Sequence, residues 1–145
     1  MPQSPQKDLV RLFYDQVWNR IDKSRIPDVF HDGFAFRGSL GPVLRGHDEF
    51  AGYVDQVTGA LSDYRCDIDD MVEEGNRVVA RMMFSGNHTG EMMGFAPTGL
   101  PVSWAGSAHF TFENGKVSDL WVLGDVHGLI RQFEANRAQA AVGGT

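Results

Sequence analysis

Cys66 is the single cysteine in 145 residues, so no disulfide can form within the chain and no zinc-type cysteine spacing exists. Basic residues are in the minority, 13 Lys and Arg against 19 Asp and Glu, for a net charge of -6. That balance argues against nucleic acid or an anionic membrane as the main partner. The acidic residues are dispersed rather than gathered in a block. No apolar run approaches a membrane span. The opening "MPQSPQKDLV" has neither the basic start nor the apolar stretch of a signal peptide, and a cytoplasmic, reducing setting is expected. With no repeat and no linker, one domain over 1–145 is expected, with 138–145 as a frayed tail. What is present is an ordinary globular mixture, 42% hydrophobic and 22% charged.

Hydrophobic periodicity divides the chain. Ser4 and Pro5 read as an N-cap and a first helical residue. Val10, Phe13, Tyr14, Val17, Trp18 and Ile21 then mark one face of a helix reaching about Arg20. Ser24 is the expected cap of a short second helix. "DGFAFRG" reads as a strand leading into the Gly/Pro loop "GSLGPVLRG". A third helix starts near His47, with Phe50, Tyr53, Val54, Val57 and Leu61 as its apolar face. From Tyr64 the period becomes two: Tyr64, Cys66, Ile68, Asp70 and Val72 share one side. "RVVARMMFSGNH", "PVSWAGSAHFTF" and "VSDLWVLGD" are further strands. Asn114-Gly115 suits a type I′ hairpin between the last two, and "VHGLIRQF" reads as a closing helical turn. Helices followed by antiparallel strands predict an α+β domain.

A sheet packed on helices turns one face inward. Val78, Ala80, Met82, Phe84, Gly86 and His88 share the inward parity. So do Trp104, Gly106, Ala108, Phe110 and Phe112, and then Leu120, Val122 and Gly124. Bulky residues alternate with Ala and Gly, which predicts room inside the sheet: a cavity closed by Tyr14 and Trp18 of the first helix. Between two of the strands lies "HTGEMMGFAPTG", a connection far more apolar than a turn requires.

"LFYDQVWNRID", "RGHDEF", "GNHTGEMMGFAPTG", "FTFENGKVSDLW" and "GDVHGLIRQ" together resemble the SnoaL-like polyketide cyclase family of the nuclear transport factor 2-like superfamily. The resemblance implies a cone-shaped, strongly curved antiparallel sheet wrapped around three helices and enclosing a pocket, usually in a homodimer. It implies a small apolar substrate, aldol-type cyclisation or related enolate chemistry, and no cofactor. It places Met92, Met93 and Phe95 over the pocket mouth, where flexible thioethers suit varied apolar shapes. The alternative is that this loop packs on the protein's own edge or on a dimer partner. Arg81, Met83 and His109 have outward parity and suit such a partner.

Enolate chemistry needs a base for the proton alpha to a carbonyl and a donor for the developing oxyanion. The family usually carries an acid directly after the last-strand tryptophan, where this chain has Val122 after Trp121. His88, at the rim end of an inward set, is an acid–base candidate or a loop anchor. Asp125 is the nearest carboxylate, reaching the pocket or capping the turn that follows. Arg37 is a candidate to hold a carboxylate or enolate from a strand end. Substrate contacts are expected from Tyr14 and Trp18, from Met82 and Phe84, from Trp104, Ala108 and Phe110, and from Leu120 and Val122. The pairs His31-Asp32 and His47-Asp48 have acceptable metal-ligand types but no supporting spacing, so no metal is expected. A non-catalytic binding or interaction module of the same fold is the second reading, favoured by Val122.

Overall fold

The computed structural model describes residues 4–143. The Ser4 hydroxyl accepts the Lys7 N–H at 3.1 Å, and Pro5 occupies the first turn of α1 (Pro5–Leu12). The helix continues as a π-helical segment (Phe13–Asn19) that buries Phe13, Tyr14, Val17 and Trp18. Ile21 departs from the expected apolar face. It follows the helix end, lies in the left-handed region at φ 54 and is exposed. A 3-10 turn (Lys23–Arg25) and the one-turn α2 (Ile26–Val29) come next. Ser24 does not cap α2, which follows Arg25 without a side-chain cap; instead the Asp22 carboxylate caps the 3-10 turn, accepting the Ser24 N–H at 3.2 Å.

The remaining elements are β1 (Phe30–Arg37), β2 (Val43–Arg45), α3 (Gly46–Ala60), β3 (Leu61–Glu74), β4 (Arg77–His88), β5 (Pro101–Glu113), β6 (Lys116–Gly124) and α4 (Val126–Gly143). They build one curved, mixed six-stranded sheet in the order β2-β1-β6-β5-β4-β3. β3 to β6 form an antiparallel meander, but β1 pairs with β6 in parallel, so the sheet is not wholly antiparallel. Asn114 and Gly115 have φ 49 and 85 between the paired residues Glu113 and Lys116, the geometry of a type I′ turn.

The inward set of β4 is buried throughout, from Val78 to His88. In β3 the alternation breaks. Ile68 pairs with Met82 but Asp70 with Arg81, leaving Asp69 as a bulge. One extra residue reverses the faces, so Met71 packs on the core and Val72 is exposed, opposite to strict alternation. Leu61 belongs to β3 rather than to the face of α3.

Two further expectations need correction. The glycines of the inward face do not leave empty room, because neighbouring groups fill it: Leu61 at Gly86, and rings at Gly106 and Gly124. A Cβ at Gly106 would sit 2.6 Å from Phe84 Cε2, and one at Gly124 would sit 3.1 Å from the Trp104 indole and 3.0 Å from Ser39 Oγ. The closing turn is an 18-residue helix, α4, which buries Leu129 and Phe133. The segment read as a frayed tail is helical as far as Gly143; residues 144–145 lie outside the described range. Among the described residues no helix is long and apolar enough to cross a membrane.

Gly106→Ala should lower unfolding stability by about 1–3 kcal/mol, the usual cost of overpacking. Gly33→Ala, where an added Cβ meets nothing within 4 Å, should cost much less. Urea denaturation of both variants checks this; equal losses would contradict the assignment of the Gly106 space to Phe84.

Candidate functional site

A cavity of about 120 Å³ lies between the helices and the inner face of the sheet. The π-helical segment contributes Phe13, Tyr14 and Trp18, and α3 contributes Tyr53. β3, β4 and β5 add Tyr64, Phe84 and Trp104. β6 adds Leu120 and Val122, and α4 adds Val126 and Leu129. The end of β1 supplies Phe36 and the segment Gly38–Gly41, and the β4–β5 loop supplies Met92 and Met93. Leu40, 66% exposed, marks the mouth. The walls are aromatic. Tyr64 and Phe84 lie nearly parallel with centroids 6.4 Å apart, and Phe84 and Trp104 are 5.5 Å apart. Trp18 meets Tyr64 and Tyr53 edge-on at 5.3 and 6.0 Å.

The apolar loop is divided between two tasks. Met92 and Phe95 exchange backbone hydrogen bonds of 3.1 and 2.9 Å around Met93 and Gly94, which have φ 53 and 84. This tight turn brings two successive methionines to the cavity. Phe95 does not reach it; its ring packs on Phe133 of α4 at 5.2 Å, under the Arg137 guanidinium at 4.9 Å.

Among the described residues no Asp, Glu, His, Lys or Arg lines the cavity. The polar side chains among the lining residues are the phenols of Tyr14, Tyr53 and Tyr64, the indoles of Trp18 and Trp104, and Ser39, whose hydroxyl accepts the Gly124 N–H at 2.6 Å. Burial pushes the Tyr14 and Tyr64 phenols well above their ordinary range, with the neighbouring Cys66 thiol and Tyr53 adding to the shift. Tyr53 is raised by burial and then by Cys66. The Cys66 thiol is itself pushed up by burial. All four groups are therefore neutral at physiological pH.

Of the residues expected at the site, Tyr14, Trp18, Phe84, Met92, Met93, Trp104, Leu120 and Val122 line the cavity. Met82, Ala108 and Phe110 are buried in the core and do not line it. Arg37 sits outside, its guanidinium 5.4 Å from the Trp121 ring centroid and 3.4 Å from the Val122 carbonyl. Asp125 is exposed and caps α4, accepting the Gly128 N–H at 2.9 Å. His88 is inward but fully buried, away from the cavity lining, with its ring 4.5 Å from Phe133. Its Nδ1 lies 3.3 Å from Thr98 Oγ1, and its backbone bonds to Gly99 and Leu100. His31 and His47 both contact backbone carbonyls, of Glu113 and Phe30. Among the described residues no three His, Cys, Asp or Glu side chains gather as for a metal. The two phenols not foreseen as site residues are Tyr53 and Tyr64. The available signal was a polar-tipped ring at positions where the apolar pattern asks only for hydrocarbon.

The model of the SnoaL-like polyketide cyclase family matches residues 8–133. Aklanonic acid methyl ester cyclase AcmA of Streptomyces galilaeus is 30% identical over 120 residues, covering 81% of this chain and 83% of that protein. The structure of TsrD from Streptomyces laurentii is 26% identical, with a TM-score of 0.81 over 92% of this chain and 97% of TsrD. A Catenulispora acidiphila protein of ketosteroid isomerase-like fold superposes with a TM-score of 0.74 at 10% identity, covering 88% of this chain and 92% of its own; that likeness concerns the fold alone.

His88→Gln should leave kcat within a few-fold of the parent while lowering stability by about 1–3 kcal/mol, because a buried polar contact is disturbed. Separate kcat, KM and denaturation measurements check this. A fall of about a hundredfold in kcat with stability kept would restore an acid–base role for His88.

Proposed function

The chain belongs to the SnoaL-like polyketide cyclase family, and we propose that it closes a ring in a small, apolar, uncharged carbonyl compound by aldol-type chemistry without a cofactor. The observation that carries this reading is the lining: aromatic walls, three neutral phenols and no charged side chain. A free carboxylate entering such a site would lose its hydration with no cation to meet it. An ester or ketone loses little. The methyl ester in the name of AcmA's substrate fits that requirement.

In an aldol closure the alpha carbon loses a proton, its enolate attacks a second carbonyl carbon, and the new alkoxide is protonated. The product is an isomer of the substrate, so nothing else is consumed. The phenols, held above their ordinary range by burial, act as donors rather than bases. With no carboxylate or imidazole on the lining, the substrate must supply an acidic carbon, as one flanked by two carbonyls does, whose proton passes to solvent hydroxide or water; water then returns a proton to the alkoxide. The same lining supports a second reading, a binding module that kept the fold without the carboxylate that the family resemblance expects at Val122.

We also propose a homodimer built on the outer face of the sheet. Met83, Trp121 and Leu123 are 36%, 38% and 48% exposed there, beside Arg81 and His109. Cross-strand pairing makes the patch continuous: Ser107 pairs with Arg81 on one side and Leu123 on the other, and His109 pairs with Trp121. Such a face suits an isologous pair.

An open-chain aromatic polyketide methyl ester with a β-dicarbonyl unit should be converted to a ring-closed product of equal mass, well above the rate in buffer. The rate should rise steadily from pH 6 to 9, with no inflection near the ordinary imidazole value of about 6.5, because the raised phenols stay protonated across that range. A plateau near 6.5 would reveal a histidine base, and tight binding without acceleration would favour the binding module.

Sedimentation at micromolar concentration should give about twice the 16.1 kDa chain mass, and Trp121→Asp with Leu123→Asp should shift it to monomer. A monomeric parent would contradict the assigned face.

A further inference from the structure

We propose that the hydroxyls of Tyr14, Tyr53 and Tyr64 form the acceptor-binding end of the cavity and hold the carbonyl oxygen of the ligand. This rests on the cyclase reading only for the identity of that acceptor as a substrate carbonyl. The three phenols come from three different elements, the π-helical segment, α3 and β3, and all line the same cavity. They surround one indole: Tyr53 and Tyr64 stand edge-on to Trp18 at 6.0 and 5.3 Å, and Tyr14 precedes Trp18 by one turn of its segment. The Tyr53 hydroxyl lies against the backbone of Gly38, where an added Cβ would be 3.2 Å from its oxygen. A side chain at residue 38 would therefore crowd the Tyr53 hydroxyl.

Buried hydroxyls are normally paired. No backbone or side-chain oxygen or nitrogen among the described residues pairs with these. Among the described residues the one fully buried side-chain nitrogen or oxygen left without a partner is His88 Nε2, so the phenol oxygens are not sealed off and open onto the cavity that they line. The Cys66 thiol beside Tyr64 is a weak partner. Two phenols without a partner, and a third whose partner is a thiol, on a largely apolar cavity, fit a ligand with one oxygen acceptor on a flat apolar body. They fit poorly to a hydrocarbon, which would leave the Tyr14 and Tyr53 hydroxyls unpaired.

The test uses paired probes that differ by the carbonyl, 1-tetralone and tetralin, and does not depend on turnover. Binding to the parent, Tyr53→Phe, Tyr64→Phe and the double variant can be followed by fluorescence of Trp18 and Trp104, both on the lining. The ketone-to-hydrocarbon affinity ratio should fall roughly tenfold or more in the double variant, the scale of one to two lost hydrogen bonds, and by part of that in each single variant. Tetralin affinity should change less than twofold, reporting an intact cavity. The carbonyl stretch of bound 1-tetralone should lie lower in the parent than in the double variant. An unchanged ratio, a parallel loss of both ligands in the single variants, or no binding of either probe to the parent would overturn the proposal. If the probes behave as expected but no β-dicarbonyl ester is cyclised, the catalytic reading fails and the acceptor site stands.

Discussion

Two hydrogen bonds between the Asn19 side chain and the backbone of Cys66 join the halves of the pocket. Asn19 Nδ2 donates to the Cys66 carbonyl at 3.0 Å, and Asn19 Oδ1 accepts the Cys66 N–H at 2.7 Å. β3 is an edge strand, and its unpaired groups need partners. The amide supplies them and pins the end of the π-helical segment to the sheet. Phe13, Tyr14, Val17 and Trp18 are then all turned inward, and Trp18 reaches Tyr64 on the clamped strand. A π-helical turn is uncommon and is often found at functional sites; here its contacts form one wall of the cavity.

The chemistry follows from what that wall encloses. Phenols buried among rings stay protonated and donate; they do not accept protons near neutrality. On the proposed cyclase reading, such donors suit an oxygen that gains negative charge during reaction, the kind of stabilisation that contributes most in a dry site. On the same reading, a lining without carboxylate or imidazole among the described residues calls for substrates whose alpha carbon is already acidic. Met92 and Met93 form an apolar part of the cavity lining, whereas Phe95, Phe133 and His88 tie the loop to α4. The apolar character of the β4–β5 loop thus reflects both contacts at once.

Features that depend on local chemistry were legible in the sequence. Ser4-Pro5 specifies a helix start, Asn114-Gly115 specifies a hairpin, and the alternation of β4 identifies its buried face. The succession of helices and strands indicates the α+β class, and the family resemblance adds the curved sheet enclosing a pocket. Features set by tertiary contact were not legible. Spacing alone does not separate an α-helix from a π-helical turn at Phe13–Asn19. Asp69 looks like any strand residue, yet as a bulge it reverses Met71 and Val72. Gly106 reads as empty space until Phe84 is seen to occupy it. His88 was correctly turned inward, but its cover, Phe133, lies on a helix that its weak apolar pattern disguised as a single turn. Tyr53 falls on the apolar face of the third helix and Tyr64 in the alternating set of β3, and their hydroxyls gain meaning only where helix and strand meet.

The most direct measurement is a crystal structure of the protein with an open-chain polyketide methyl ester bound. The account predicts a carbonyl oxygen within about 3.2 Å of at least two of the three phenol oxygens, with the ligand's rings between Trp18 and the Phe84–Trp104 wall. A ligand whose carbonyl points out past Leu40 or toward Asp125, with the phenols touching only carbon, would contradict it.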